Sequence, residues 1–275
     1  MGTLFLVATP IGNLEDISNR ALRILSEASL IAVEDTRKTG RLLKHFNIST
    51  RTTSYYEYNK LSKLDLILDT LASGDVALVS DAGTPALNDP GFELVRAALQ
   101  AGHTVSPIPG PSAPLAALVA SGLPTDSFVY LGYLPRRAAE RRNFIFEIKN
   151  LPYTLIFLET PHRLLDALAD LQDILGDRDM AAARELTKLH EEILRSPISV
   201  IREHFESDTP RGEFTLVVSG NKSELSEKWQ EAQLVSAIRS GLLQGESAAA
   251  LAARLAAESG WERREIYRMI TQHKA

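Results

Sequence analysis

The sequence predicts an α/β fold in two domains, with a mainly parallel sheet in the first, a mixed sheet in the second, and a small C-terminal helical tail. Three observations carry this. Short apolar runs followed by turn residues alternate with segments of helical spacing over the first part of the chain. A stretch rich in Gly, Pro and polar residues at 120–126 (ASGLPTD) separates that part from a new series of strands. Beyond Gly220 the composition turns polar, and three helical segments follow.

Runs 4–8, 30–33 and 76–79 read as strands, and 21–25, 61–71 and 92–99 as helices. Strands joined by helix-length crossovers form parallel pairs covered on both faces, so residues 1–122 are expected to be one α/β domain. In the second domain, 123–222, strands are expected at 128–131, 154–158, 180–183, 192–194 and 214–218, with a helix at 161–175. In the tail, 230–275, helices are expected at 232–243, 247–257 and 262–271. Ser247 and Glu262 provide start signals there, and Ser259-Gly260 a stop.

Composition narrows the function classes. With 44% hydrophobic and 24% charged residues the chain suits an ordinary soluble protein. The absence of cysteine excludes disulfides, thiolate metal sites and a cysteine nucleophile, and suits a cytoplasmic protein. The first residues carry no basic leader and are expected to be a core strand. A net charge of −5 confines any nucleic-acid binding to local patches. Neither G-x-G-x-x-G nor G-x-x-x-x-G-K-[ST] occurs, so no phosphate-cradling loop is expected. H-E-x-x-H is absent and His45, His103, His162, His190, His204 and His273 are scattered, so no metal site is expected.

Six of the 13 prolines fall in three elbows, at 9–13 (TPIGN), 80–91 (SDAGTPALNDPG) and 107–113 (PIPGPSA), each read as following a strand. Rigid turns at the ends of parallel strands are either simple connectors or the loops of a small-molecule pocket.

TPIGNLEDIS (9–18), EDTRKTGRLLKHF (34–46), LVSDAGTPALNDPG (78–91), PIPGPSA (107–113), LIFLETPHRL (155–164) and ARELTKLHEE (183–192) together resemble the tetrapyrrole (precorrin) methylase superfamily, and within it the ribosomal RNA branch. The resemblance runs in order over about 3–220. It implies a homodimeric S-adenosylmethionine-dependent methyltransferase that uses no metal, with the cofactor in the cleft between the two domains. The substrate it implies is a cytidine 2′-hydroxyl of 16S ribosomal RNA, free or in the 30S subunit. Carried over residue by residue, the cofactor cleft takes Pro10 and Gly12 from the first elbow, and Asp81, Ala82, Gly83, Thr84 and Pro85 from the second. It takes Pro109, Gly110, Pro111 and Ser112 from the third, with Leu158 and the strand at 213–217 covering it. Gly83 and Gly110 are expected to let the main chain approach the ligand without a Cβ. Two rivals stay open: another superfamily enzyme that methylates a tetrapyrrole carbon, and a non-catalytic RNA-binding assembly factor.

Methyl transfer to a hydroxyl needs alignment and a proton acceptor. Glu34, Asp35, Glu159 and Lys188 are the candidates, Lys188 only if burial depresses its pKa. For RNA, Arg136, Arg137, Arg141 and Arg142 (PRRAAERR) place four cations in seven residues. Arg37 and Arg41, with Lys44, share a helix face. Arg163 opens a helix where it can contact RNA or pair with Glu159. The tail has helix-turn-helix spacing, but from Glu246 to Ala275 its net charge is only +1, so a protein contact is an equal alternative.

Overall fold

A computed structural model describes residues 2–221 and 229–273. Continuous apolar runs build the first sheet: β1 (Thr3–Val7), β2 (Leu30–Val33), β3 (Thr52–Ser54), β4 (Val76–Val79) and β5 (Thr104–Ile108), all parallel in the order β3-β2-β4-β1-β5. The runs are continuous because helices cover both faces. Ile31, Val33, Ala77 and Val79 pack on one face against Ala21, Ile24 and Leu25 of α1 (Asn19–Glu27) and Leu43 of α2 (Thr36–His45). Leu30, Ala32, Val76 and Leu78 pack on the other against α3 (Lys60–Ser73) and α4 (Phe92–Gln100).

Strand order matters more than strand content. The three elbows follow β4, β1 and β5, which are immediate neighbours, and the β2 end lies on the far side of β4. All four loops therefore leave the same edge of the sheet at its carboxyl ends, where ligands of open α/β sheets bind. The third elbow begins later than the sequence suggested. Pro107 and Ile108 still pair with Leu6 and Val7, which is tolerated because β5 is an edge strand and its proline need donate no ladder hydrogen bond.

α5 (Ala113–Ser121) leads to the second sheet, β6 (Phe128–Tyr133), β7 (Thr154–Glu159), β8 (Asp179–Arg184), β9 (Glu192–Pro197) and β10 (Phe214–Val218), in the order β6-β7-β10-β8-β9. Only β6 and β7 pair in parallel, so the sheet is mixed as expected. α5 packs Ala117 and Leu118 on one face of it. The helices α6 (Ala138–Ile148), α7 (Leu164–Leu175) and α8 (Ile198–Ser207) complete this lobe.

Both lobes belong to one compact unit, Met1–Lys149 with Tyr153–Ser219. A second unit, Asn150–Pro152 with Gly220–Ala275, contains α9 (Glu231–Leu243), α10 (Ala248–Ser259) and α11 (Arg263–His273). Its core is built by Leu234, Ile238, Leu251, Leu255, Ile266 and Ile270. The Ser247 hydroxyl accepts from Ala250 N–H at 3.3 Å, and Gly260 ends α10 at φ +67°, so both signals read from the sequence act as caps. Most of the polar stretch before α9 lies outside the described residues. No helix among the described residues is long and apolar enough to cross a membrane.

Candidate active site

The elbows are tied to one another through the backbone. Thr9 and Gly83 exchange N–H···O bonds of 2.9 Å in both directions, joining the first and second elbows. The Thr84 hydroxyl donates to the Pro111 carbonyl at 3.3 Å, joining the second and third. Gly83 has φ +75°, which only glycine adopts without strain. A Cβ there would meet Ile11 at 3.4 Å, and one on Gly110 would meet Ala8 at 3.0 Å. Both glycines lie where the loops pack closely on one another, and Gly83 also lines the cavity described next. Gly12 is likewise packed, its missing Cβ lying 2.4 Å from the Lys188 side chain.

Between the lobes the loops enclose a cavity of about 280 Å3. Asp81, Ala82, Gly83, Thr84, Ser112 and Leu158 line it, as the sequence reading expected. Pro10 borders a neighbouring hollow with Arg41 and His45. Pro85, Pro109, Gly110 and Pro111 stand behind the lining and shape the loops. The wall also includes Tyr130, Tyr133, Asn88 and Asp89, which sequence reasoning did not single out. Asn88 and Asp89 were visible inside the quoted 80–91 stretch. The signal for them is geometric: Asn88 at φ +63° inserts its amide where a Cβ on Gly132 would sit, and accepts from the Tyr130 hydroxyl at 2.6 Å. The irregular pairing at Tyr130/Gly132 opens that space.

Electrostatics favour a cation. Glu34, Asp81, Asp89 and Glu213 face the cavity against one ammonium, Lys38, which donates to Asp81 at 2.7 Å. Burial pushes the Asp89 carboxyl up to about 6, reinforced by the negative charges of Glu34 and Asp81 and opposed by a hydrogen bond from Ser80. Burial also raises Glu34, partly offset by the Asp81 amide, which donates to it at 3.3 Å. A wall of carboxylates repels phosphate and suits a ligand with a sulfonium and an ammonium group, so the residues present fit S-adenosylmethionine, and the missing phosphate motifs agree with that chemistry.

The other candidate proton acceptors are placed differently. Asp35 is the N-cap of α2 and binds the Arg37 guanidinium at 2.9 Å, which holds its carboxyl far below the usual range. It caps α2 and is held in its ionised form. Glu159 is buried on the face of β7 opposite Leu158, as strand alternation requires. Its carboxylate accepts from Thr160 N–H at 2.8 Å and lies 3.4 Å from Arg163, the pairing foreseen at i, i+4. For Lys188, burial acts to lower the pKa, but Glu185 at 2.8 Å and Glu213 at 3.2 Å outweigh it and leave the ammonium raised. The condition for Lys188 to act as a base is therefore reversed.

The predicted arginine patch is divided. Arg141 is buried, 5% exposed, and donates to Asp170 at 2.7 Å, while Arg142 binds Asp170 at 2.6 Å and Asp173 at 3.2 Å. Arg163 donates to the carbonyls of Leu134 and Pro135, bracing the loop before α6. Of the patch, Arg136, Arg137 and Arg142 are exposed, Arg137 with Glu140 at 3.1 Å and Arg142 with the two aspartates. Arg37 and Arg41 are exposed on α2.

A parallel sheet followed by a mixed sheet in this strand order defines a class of two-lobed α/β folds. Its solved examples include uroporphyrin-III-C-methyltransferase from Thermus thermophilus (TM-score 0.55, 21% identity, 80% of this chain and 94% of that one) and a diphthine synthase (TM-score 0.62, 16% identity, 80% and 90%). The chain belongs to the tetrapyrrole (corrin/porphyrin) methylase family, which matches residues 3–201. It is similar over almost its whole length to proteins named ribosomal RNA small subunit methyltransferase I. The Halalkalibacterium halodurans relative is 46% identical, covering 98% of this chain and 95% of that one. The Escherichia coli O157:H7 relative is 45% identical, covering 99% and 96%.

Proposed function

We propose that the protein transfers a methyl group from S-adenosylmethionine to the 2′-hydroxyl of a cytidine in 16S ribosomal RNA. The observation that carries this reading is the near full-length identity, 43–46%, to several proteins named ribosomal RNA small subunit methyltransferase I. When bound, S-adenosylmethionine supplies an electrophilic methyl on a sulfonium. The protein's part is to hold the donor on the elbow loops, exclude water, and accept the hydroxyl proton. Asp89 and Glu34 fit the last role: both carboxyls line the wall and both are raised by burial, Asp89 to about 6. Arg136, Arg137, Arg37 and Arg41 are the phosphate contacts in this reading.

The same reading takes the protein as a cytoplasmic homodimer acting on 16S RNA or the 30S subunit. Exposed Leu99, Leu115 and Val119 on α4 and α5 supply apolar surface for self-association. Sedimentation equilibrium tests the dimer. Calorimetry with the donor tests the cleft, and mass spectrometry of 16S RNA from a deletion strain, with and without the restored gene, tests the product. A deletion strain with an unaltered ribose methylation pattern would overturn the assignment.

A further inference from the structure

Glu34, Asn88 and Asp89 border two cavities. On one side is the donor cleft. On the other is a hollow of about 560 Å3 walled by Tyr56, Tyr58, Lys60 and Phe92. That volume lies within the roughly 300–1,000 Å3 of small-molecule sites. The aromatic side chains around it are left in solvent: Tyr58 is 95% exposed, Phe92 65% and Tyr56 41%. The Tyr56 and Tyr58 rings meet edge to face with centroids 6.5 Å apart. Core packing does not account for such rings, whereas a base that stacks on them would cover them.

Charge decides what can enter. Glu34, Glu57, Asp89 and Glu93 face Lys60 alone, so the hollow repels phosphate and admits a neutral nucleoside. Lys60 is held by Glu93 at 2.6 Å and Glu57 at 2.7 Å, leaving one of its three N–H donors free of these two partners. An edge of carboxylates beside one donor suits a base with an exocyclic amino group and a ring acceptor, and opposes a carbonyl in the amino position.

We propose that this hollow is the acceptor-nucleoside subsite. It takes a single splayed nucleoside whose base lies against Tyr56 and Tyr58, whose amino-bearing edge meets Glu57, Lys60 and Glu93, and whose ribose hydroxyl reaches the Glu34–Asp89 wall. The sugar-phosphate backbone stays outside. This rests on the reaction proposed above, in which the donor occupies the cleft that shares Glu34, Asn88 and Asp89 with this hollow, so that the hydroxyl attacks the methyl where the two cavities adjoin and gives its proton to the Glu34 or Asp89 carboxylate.

The test uses the full-length protein and small ribosomal subunits purified from a strain lacking the gene. Tyr56→Ala with Tyr58→Ala is expected to raise KM for the subunit roughly 10- to 100-fold, with donor affinity by calorimetry within about twofold of wild type. Tyr58→Ala alone, at a fully solvated position, is expected to raise it several-fold and guards against misfolding of the double variant. In subunits reconstituted with uridine at the methylated position, wild type is expected to lose at least tenfold in kcat/KM. Glu57→Gln with Glu93→Gln should narrow that ratio, since an amide can donate to a carbonyl. A wild-type KM in the donor-binding tyrosine variants, or an unchanged base preference in the glutamine variant, overturns the subsite alone. A wild-type protein that binds donor but never methylates the subunits overturns the parent reading together with this one.

Discussion

Asp89 illustrates why single residues at a site escape a reading of the chain. The Asn-Asp-Pro-Gly turn around it looks like a connector, and nothing in its spacing distinguishes a carboxyl that points to solvent from one set into a wall beside Glu34. Only folding brings the β2 and β4 ends together, and burial then raises the carboxyl to about 6. Two consequences follow with opposite pH signs. As a proton acceptor it must be ionised, so kcat is expected to fall as pH drops through about 6, and Asp89→Asn to lower kcat roughly 10²- to 10⁴-fold. Its folded value lies above the unfolded one near 3.8, so its contribution to stability is fully present below that and lost as pH rises through 6. Asp89→Asn should therefore melt higher than wild type at pH 8, with the difference vanishing near pH 4. Thermal melts at the two pH values check this; a variant that melts lower at pH 8 would show the carboxylate to be a stabilising group.

At the scale of elements, legibility followed the burial of each face. β2, β4 and β10 were readable to the residue because both of their faces are covered and, Thr215 excepted, every position is apolar. β3 is three polar residues at a sheet edge and left no such trace. α6 was hidden for a different reason: its inner stripe consists of Arg141 and Ile145 at i, i+4, so a cation occupies a core position and the helix reads as a charge run. Arg141→Ala removes the more buried of two partners from Asp170, which is itself buried. With Arg142 still at 2.6 Å, the loss should lie near the low end for a broken buried pair, about 3 kcal/mol. Urea unfolding measures it; a change within about 0.5 kcal/mol would return Arg141 to the surface patch. The elbows make a second case. A β-branched residue at φ +75° is strained by about 1–2 kcal/mol, and the side chain of Gly83→Val would have to fit between Ile11 at 3.4 Å and the Pro111 carbonyl at 3.8 Å from its Cβ. Donor affinity is expected to fall at least tenfold while far-ultraviolet circular dichroism stays native. Unchanged affinity would mean the second elbow does not touch the donor.

For the whole molecule, the balance of charge sets how RNA can approach. The chain is net negative by five, and both cavities are walled by carboxylates, so attraction to the phosphate backbone has to come from exposed cations outside the cavities, among them the arginines at the start of α6 and on α2. Motif order disclosed the family and the cofactor chemistry. It could not disclose this balance, because Arg141 and Arg163 count as cations in the sequence and are held by internal partners in the fold. If Arg37, Arg41, Arg136 and Arg137 are the phosphate contacts, each contributes about 0.7 to the slope of log affinity against log salt for a single strand, giving roughly −3. Arg136→Glu with Arg137→Glu should flatten the slope by about 1.4 and weaken RNA binding, with donor affinity unchanged. Fluorescence anisotropy with a short 16S fragment across salt concentrations reads both quantities. A wild-type slope near −6 would require cations beyond these four. The exposed Arg263, Arg264 and Arg268 of the helical unit are one such source, beside Lys44 and Arg142; if they carry the excess, removing that unit restores the shallower slope.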